Sequence, residues 1–266
     1  MLQTINVISI QSDNATFTCQ QITQYLGEQL DISTEFINDI PWQERELLLN
    51  TDQAHIGWIC GLPYIRKMDI KPSKIELVAA PVMRHPRYQQ LPIYFSDVIV
   101  HRESEYDSFV DLRGVSWAYT EPHSQSGYNI TRYHLAKLGE SKGYFGKVVK
   151  AGAHLHAIEL VLDRQIDATA IDSTVLDLVL KNQPQLKTEL RVIETLGPSP
   201  IPPWVITTNV PLELRQAIRE VFWGMHKTVQ EKTLLEQGQI MKMAQVEDQD
   251  YDLIREMARM ADPVIW

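Results

Sequence analysis

Ile93-Tyr94-Phe95-Ser96-Asp97-Val98-Ile99-Val100 is an apolar, β-branched run with no Gly or Pro inside it. It reads as one continuous extended segment, long enough to leave one lobe and enter another. What gives it weight is that the pattern before it starts again after it. Upstream, Thr4–Ile10 reads as a strand, and Phe17, Ile22, Tyr25, Leu26 and Leu30 recur at helical spacing. Ile32–Ile37 is a second strand, and Pro41 opens a helix bearing Leu47, Leu48 and Leu49. Ala54–Cys60 and Ile75–Val82 complete a β-α-β-α-β series, the mark of a parallel sheet covered by helices.

Downstream the alternation repeats. Ser108–Leu112 reads as a helical turn ended by Gly114, Val115–Tyr119 as a strand, and Ser126–Leu138 as a helix stopped by Gly139. Val148–Lys150 ends a strand, His154–Leu162 is a helix, Ala168–Ile171 a strand, Thr174–Leu180 a helix and Leu190–Thr195 a strand. The Pro-rich piece Gly197–Trp204 is expected to be a loop, and Trp204–Thr208 is extended again. From Pro211 onward the chain reads as helical, with Leu214, Ile218, Val221 and Phe222 on one face and a last helix near Tyr251–Met260.

The expectation is an α/β chain of two lobes joined by two hinge crossings, near Tyr94–Asp97 and near Pro198–Trp204. One lobe takes residues 1–95 with 200–266, the other 96–199. Two such lobes place a central cleft at their joint, where ligands bind by preference.

Composition narrows the function. The chain has 266 residues with 25 basic and 34 acidic side chains, a formal charge of −9. That balance argues against nucleic acid as a partner. No apolar run approaches the roughly 20 residues that span a bilayer, so no membrane insertion is expected. Cys19 and Cys60 lack metal-finger or CxxC spacing, so neither a metal site nor a cofactor is expected. Both are expected as reduced thiols in or near a core. No Lys or Arg precedes Arg45, and Met1–Cys19 lacks a secretory pattern. The chain as written is therefore expected in the cytoplasm, or in the periplasm if an export segment has been removed.

The segment richest in chemistry is Glu121-Pro122-His123-Ser124-Gln125-Ser126-Gly127-Tyr128, between a strand and a helix. Hydroxyls and an amide stand where the first helical N–H groups lack partners. The positive end of the helix dipole points the same way, which makes the junction an anion cradle. Gly127 would let a ligand approach the backbone. Fixed dipoles of this kind hold an anion whatever the net charge of the chain. A plain cap by Ser124 or Ser126 is the competing reading. Ala151-Gly152-Ala153-His154 is a second strand-to-helix junction, and Asp172-Ser173 a third. From the first half, Trp58, Tyr64 and Tyr94 offer flat walls with polar tips.

Taken together these segments resemble the phosphonate/phosphate-binding component of ABC importers, within the type II periplasmic-binding fold. The resemblance runs from about Ile56 to Phe222. Tyr94–Val100 followed by Asp111-Leu112-Arg113-Gly114 is similar to that family's crossing strand and "DL-x-G" turn. Ser124-Gln125-Ser126-Gly127 stands where the family carries Ser-Thr-Ser-Gly, and Gly152-Ala153-His154 where it carries Gly-Ser-His. Ile166–Ser173 matches its "VDAAAVDS" strand, and Ile201-Pro202-Pro203-Trp204-Val205 its "IPP-x-V" segment. The resemblance implies a solute-binding protein that closes around a small oxyanion such as phosphate, phosphite or a phosphonate, for transport or sensing.

It also implies that Ser124, Gln125, Ser126 and His154 hold the oxyanion and that Asp172 faces the rest of the ligand. Tyr94, Trp58 and Tyr64 would come from the other lobe, and an ABC permease or a sensor kinase would be the protein partner. Gln125 departs from the family's central Thr. Leu155 replaces a commonly acidic residue, which points away from an amino-phosphonate. The alternative is a cytoplasmic enzyme on the same fold, of the menaquinone-route or thiamine-pyrimidine type, with His154 or His123 as general base. No GxSxG, HExxH or kinase motif supports catalysis.

Overall fold

The computed structural model describes residues 4–266. Residues 1–3, where the leader reading and the first lobe begin, lie outside the described residues. The chain divides into two compact units. One comprises residues up to Ile93 with Pro200–Tyr251, the other Tyr94–Ser199 with Asp252–Trp266.

The first unit is built on a 6-stranded sheet. Its strands are β1 (Thr4–Ser9), β2 (Ser33–Ile37), β3 (Ile56–Trp58), β4 (Ile75–Met83), β10 (Trp204–Thr207) and β11 (Ile240–Ala244), in the order β11-β4-β10-β3-β1-β2. β1 runs parallel to β2 and β3. The parallel series then stops, because β10 returns from the far end of the chain and inserts antiparallel between β3 and β4. All four residues of β10 are buried, so its apolar run pays for a central position. Helices α1 (Thr16–Leu30), α2 (Trp42–Asn50), α3 (Gly61–Asp69), α7 (Leu212–Gly224) and α8 (Val229–Gln237) complete the unit.

Two elements here differ from expectation. α3 was not anticipated in a segment that carries Gly61 and Pro63, yet Pro is tolerated in the first helical turn. The tail beyond Pro211 was expected to be helical throughout. Instead Ile240–Ala244 pairs antiparallel with β4 as an edge strand. Met and Lys carry weak strand preference, and the pairing with β4 overrides it.

The second unit holds a 5-stranded sheet in the order β7-β6-β8-β5-β9. The ranges are β5 (Ile93–His101), β6 (Ser116–Tyr119), β7 (Lys147–Lys150), β8 (Ala168–Asp172) and β9 (Leu190–Pro200). β6, β7 and β8 run parallel, and β5 lies antiparallel to β8 with Ser96 opposite Asp172. Helices α5 (His154–Leu162) and α6 (Ser173–Asn182) cover one face. Ala157, Ile158, Val161, Val175 and Leu176 pack there against Ile99 and Ile171. On the other face α4 (Ile130–Lys137) and α9 (Asp252–Ala261) bury Val98, Trp117, Ile130, Leu135 and Met257.

Gly197–Pro200 was expected as loop and is the end of β9. β9 is an edge strand, where prolines can sit without breaking a ladder. The assignment of 252–266 to the first lobe is corrected. Met257 and Val264 belong to the second unit's core, and Arg132 donates to the carbonyls of Val264 (2.9 Å) and Asp262 (3.1 Å). Tyr94 likewise groups with the second unit.

Candidate functional site

The parallel strands of the second unit deliver three strand-to-helix junctions to one sheet edge. At the first, the chain leaves β6 through Thr120 and enters a wide turn over Gln125–Asn129 that continues into α4. The turn is π-type. Asn129 N–H donates to the Ser124 carbonyl at 3.0 Å, and Ile130 N–H to that of Gln125. Such turns widen a helix and are frequent at functional sites. Ser124 caps it, its Oγ accepting from Gly127 N–H at 2.9 Å. The cap reading of Ser124 is therefore what the structure shows, and its own O–H proton remains to be donated.

The second junction is docked on the first. Ala151 N–H donates to the Tyr119 carbonyl at 2.7 Å and Gly152 N–H to that of Thr120 at 3.1 Å. Gly152 takes φ +81°, a left-handed conformation suited to glycine, and turns the chain into α5. His154 then opens α5 with its Nε2 3.1 Å from Ser126 Oγ. Its Nδ1 faces the Asp172 backbone N–H across a long 3.4 Å contact.

Those partners set the chemistry. A backbone N–H can only donate, so Nδ1 is the bare nitrogen and Nε2 carries the proton. Ser126 Oγ, on a residue only 3% exposed, thus accepts from His154 and keeps its own proton to donate. Desolvation pushes the His154 pKa down to about 4, so the ring is neutral near pH 7 although the residue keeps part of its surface in solvent. The same tautomer argues against the enzyme reading. To activate Ser126 as a nucleophile the ring would need its bare nitrogen toward the serine, and here that side is protonated. His123 lies exposed on the loop.

At the third junction Asp172 is buried and caps α6. Its Oδ1 accepts from Thr174 N–H at 2.8 Å and Thr174 Oγ1 at 2.7 Å. Burial pushes its pKa up to about 6, opposed by the bonds from Thr174 and Val175. The carboxylate was expected to face ligand, and what it does in the structure is cap a helix.

The structure also relocates other expected contacts. Gln125 is fully buried and its amide turns inward to Ser199, Met257 and Asn129. Gly127 lies against Thr120. A Cβ there would meet Thr120 Oγ1 at 2.2 Å, so the missing side chain makes room for Thr120. Tyr94 is buried at 1% exposure. In the first unit, Trp58 stacks on Trp204 with centroids 5.3 Å apart, and its indole N–H donates to the Pro202 carbonyl at 2.9 Å. Tyr64 has no exposed surface, packs on Tyr251 and donates its hydroxyl to Asp248 at 2.8 Å. Tyr64 is thus a core residue of that unit and not an open wall.

The donors that remain at the second unit's edge are few and neutral. Among the described residues, the backbone N–H of Ser126 and those of His154 and Leu155 find no acceptor in the chain. With the Ser124 and Ser126 hydroxyls they suit an oxyanion. No cluster of His, Cys, Asp or Glu among the described residues suits a metal ion. Thr120 and Ser199, which support the turn, were missed by sequence reasoning, since neither sits in a junction motif.

The family described as ABC transporter, phosphonate, periplasmic substrate-binding protein matches residues 5–251. A curated relative, the phosphonates-binding periplasmic protein of Escherichia coli K12, is 29% identical over 150 residues. That match spans 54% of this chain but only 44% of the relative, less than half its length. Among solved structures, PhnD1 from Prochlorococcus marinus in complex with methylphosphonate aligns at TM-score 0.85 and 19% identity, over 98% of this chain and 99% of that one. A binding-protein component of an ABC phosphonate transporter from Pseudomonas aeruginosa also aligns at TM-score 0.85 and 19% identity, over 98% and 87%. A Xanthomonas citri protein bound to ATP follows at 0.76 and 14%, over 98% of each chain. At these identities the structures speak for the fold, the two-lobed type II periplasmic-binding fold.

Proposed function

Since this chain belongs to the ABC-transporter family of periplasmic phosphonate substrate-binding proteins, we propose that its second unit holds a small phosphonate-type oxyanion at the mouths of α4 and α5. The family is one of binding proteins, not enzymes, so the enzyme alternative is not favoured. The observation that carries the proposal is the 3.1 Å bond between Ser126 Oγ and His154 Nε2. It holds the two helix starts side by side and leaves the serine its own proton to donate.

Ser124, Ser126 and His154 form the cradle in this reading. Gly127 and Gln125 give the turn its shape, and Asp172 caps the helix beside it. Methylphosphonate, phosphite and phosphate share the tetrahedral oxyanion that these neutral donors suit. A lipophilic or strongly cationic ligand finds no counterpart here. The protein partner we propose is an ABC permease, and the setting the periplasm. Among the described residues no helix is long and apolar enough to cross a membrane.

The test is a thermal-shift and calorimetric comparison of methylphosphonate, phosphite, phosphate and sulfate on wild type and Ser126→Ala. A ligand at 100 times its Kd adds about 2.7 kcal/mol of stability. Loss of the Ser126 bond costs about 1–3 kcal/mol of affinity when the contact is buried. Equal affinity in both proteins would remove Ser126 from the cradle.

A further inference from the structure

Gln125 sits at the first position of the anion turn, and its side chain does not face the donors. The amide is enclosed, with no exposed surface. Its Nε2 donates to Ser199 Oγ at 3.2 Å and lies 3.1 Å from Met257 Sδ, while Oε1 accepts from Asn129 Nδ2 at 2.8 Å. Ser199 and Asn129 are themselves 1% and 2% exposed. These partners come from three places: the wide turn itself, the end of β9 and the middle of α9. Ser199 is also the last residue of the second unit before the chain passes to Pro200 of the first.

We propose that Gln125 is a positioning residue, whose buried amide ties the anion turn to the end of β9 and to α9 and so holds the Ser126 donors in place. A primary amide is costly to bury unless its donors and acceptor are met. An apolar chain of equal length would fill the same space without that cost. The polar choice therefore specifies one geometry. Gln125 and Asn129 stand four apart, across the turn that the Asn129 and Ile130 N–H groups close. Their side-chain bond clamps the turn along the same span. Ser126, the next residue, takes its orientation from that clamp. A threonine at 125 could neither reach Ser199 nor accept from Asn129 at the same time, because it has one oxygen on a short stem.

The binding arm of this proposal rests on the oxyanion reading above, and the exchange arm does not. Hydrogen exchange of the ligand-free protein is measured for wild type, Gln125→Met, Gln125→Thr and Ser199→Ala, together with calorimetry of methylphosphonate. Gln125→Met and Gln125→Thr are expected to speed exchange of the Gly127, Asn129 and Ile130 amides, which are bonded within the turn, about tenfold and weaken binding about tenfold. Exchange in β7 and α5 stays at the wild-type rate. Ser199→Ala, which leaves the Gln125–Asn129 bond intact, gives a smaller change in both. Unchanged exchange at Gly127, Asn129 and Ile130, or a uniform rise across the unit, would overturn the proposal, since either marks an ordinary core residue. Should Gln125→Met not fold, Asn129→Leu removes the other half of the clamp and is judged by the same readout. If wild type binds no oxyanion, the functional reading fails while the exchange result still decides the role of Gln125.

Discussion

Replacing Gly127 with alanine should damage the turn for a steric reason. The new Cβ would stand 2.2 Å from Thr120 Oγ1, 2.7 Å from its Cγ2 and 2.9 Å from its Cβ. Thr120 has little freedom to retreat. It is 4% exposed, its N–H donates to the Gly127 carbonyl at 3.3 Å and its carbonyl accepts from Gly152. Overpacking of this kind costs about 1–3 kcal/mol, and three contacts below 3.0 Å place Gly127→Ala at the upper end. Alanine regains about 1 kcal/mol in a helical position. The net loss is about 2 kcal/mol. Thr120→Ala alone should cost little, because its Oγ1 has no hydrogen-bond partner. In that background most of the clash is gone and Gly127→Ala becomes nearly neutral. Urea unfolding of wild type, both single variants and the double variant gives the coupling, expected near 2 kcal/mol. Additivity within about 0.5 kcal/mol would refute the argument that Thr120 is what requires glycine.

Other outcomes follow from the same geometry. Asp172 has a folded-state pKa raised from 3.8 to about 6, so the folded state holds its proton more tightly and this group's contribution falls as pH rises from 4 through 6. Asp172→Asn should therefore gain on wild type between pH 4 and pH 7.5, by on the order of 2–3 kcal/mol; parallel denaturation curves at the two pH values would count against the burial argument. His154 works in the opposite sense. Its pKa is depressed from 6.5 to about 4, so its contribution is present above 6.5 and lost as pH falls through 4, and His154→Gln should be less acid-labile than wild type when melting is followed across that window. Tyr64→Phe should lower stability by about 1–2 kcal/mol through the lost bond to Asp248 while leaving methylphosphonate affinity within twofold by calorimetry; a large affinity loss would return Tyr64 to the binding surface.

Much of the fold can be read from local pattern. The helix at His154–Leu162 coincides with its sequence reading because Gly152 and the apolar spacing of Ala157, Ile158 and Val161 act within one segment. β10 was foreseen as extended, but its insertion between β3 and β4 joins residues more than a hundred apart, and no periodicity encodes that. β11 escaped for the same reason. At the site, the junction motifs pointed to Ser124, Ser126 and His154, since helix starts carry a local signature. The inward turn of Gln125 depends on Met257 and Ser199, which lie far along the chain. The need for glycine at 127 depends on Thr120 across the turn. Aromatic residues such as Tyr64 read alike in sequence whether they line a wall or fill a core, and only the Asp248 and Tyr251 contacts separate the two.

The central claim is that backbone and hydroxyl donors at the starts of α4 and α5 grip an oxyanion. The most direct measurement is an amide proton–nitrogen correlation spectrum titrated with methylphosphonate. The account predicts that the Ser126 and His154 backbone amides shift furthest, move together along one saturation curve, and need about 5–150 times more methylphosphonate in Ser126→Ala, the equivalent of the ~1–3 kcal/mol lost with the hydroxyl. Saturable binding of methylphosphonate with both amides unmoved would contradict it.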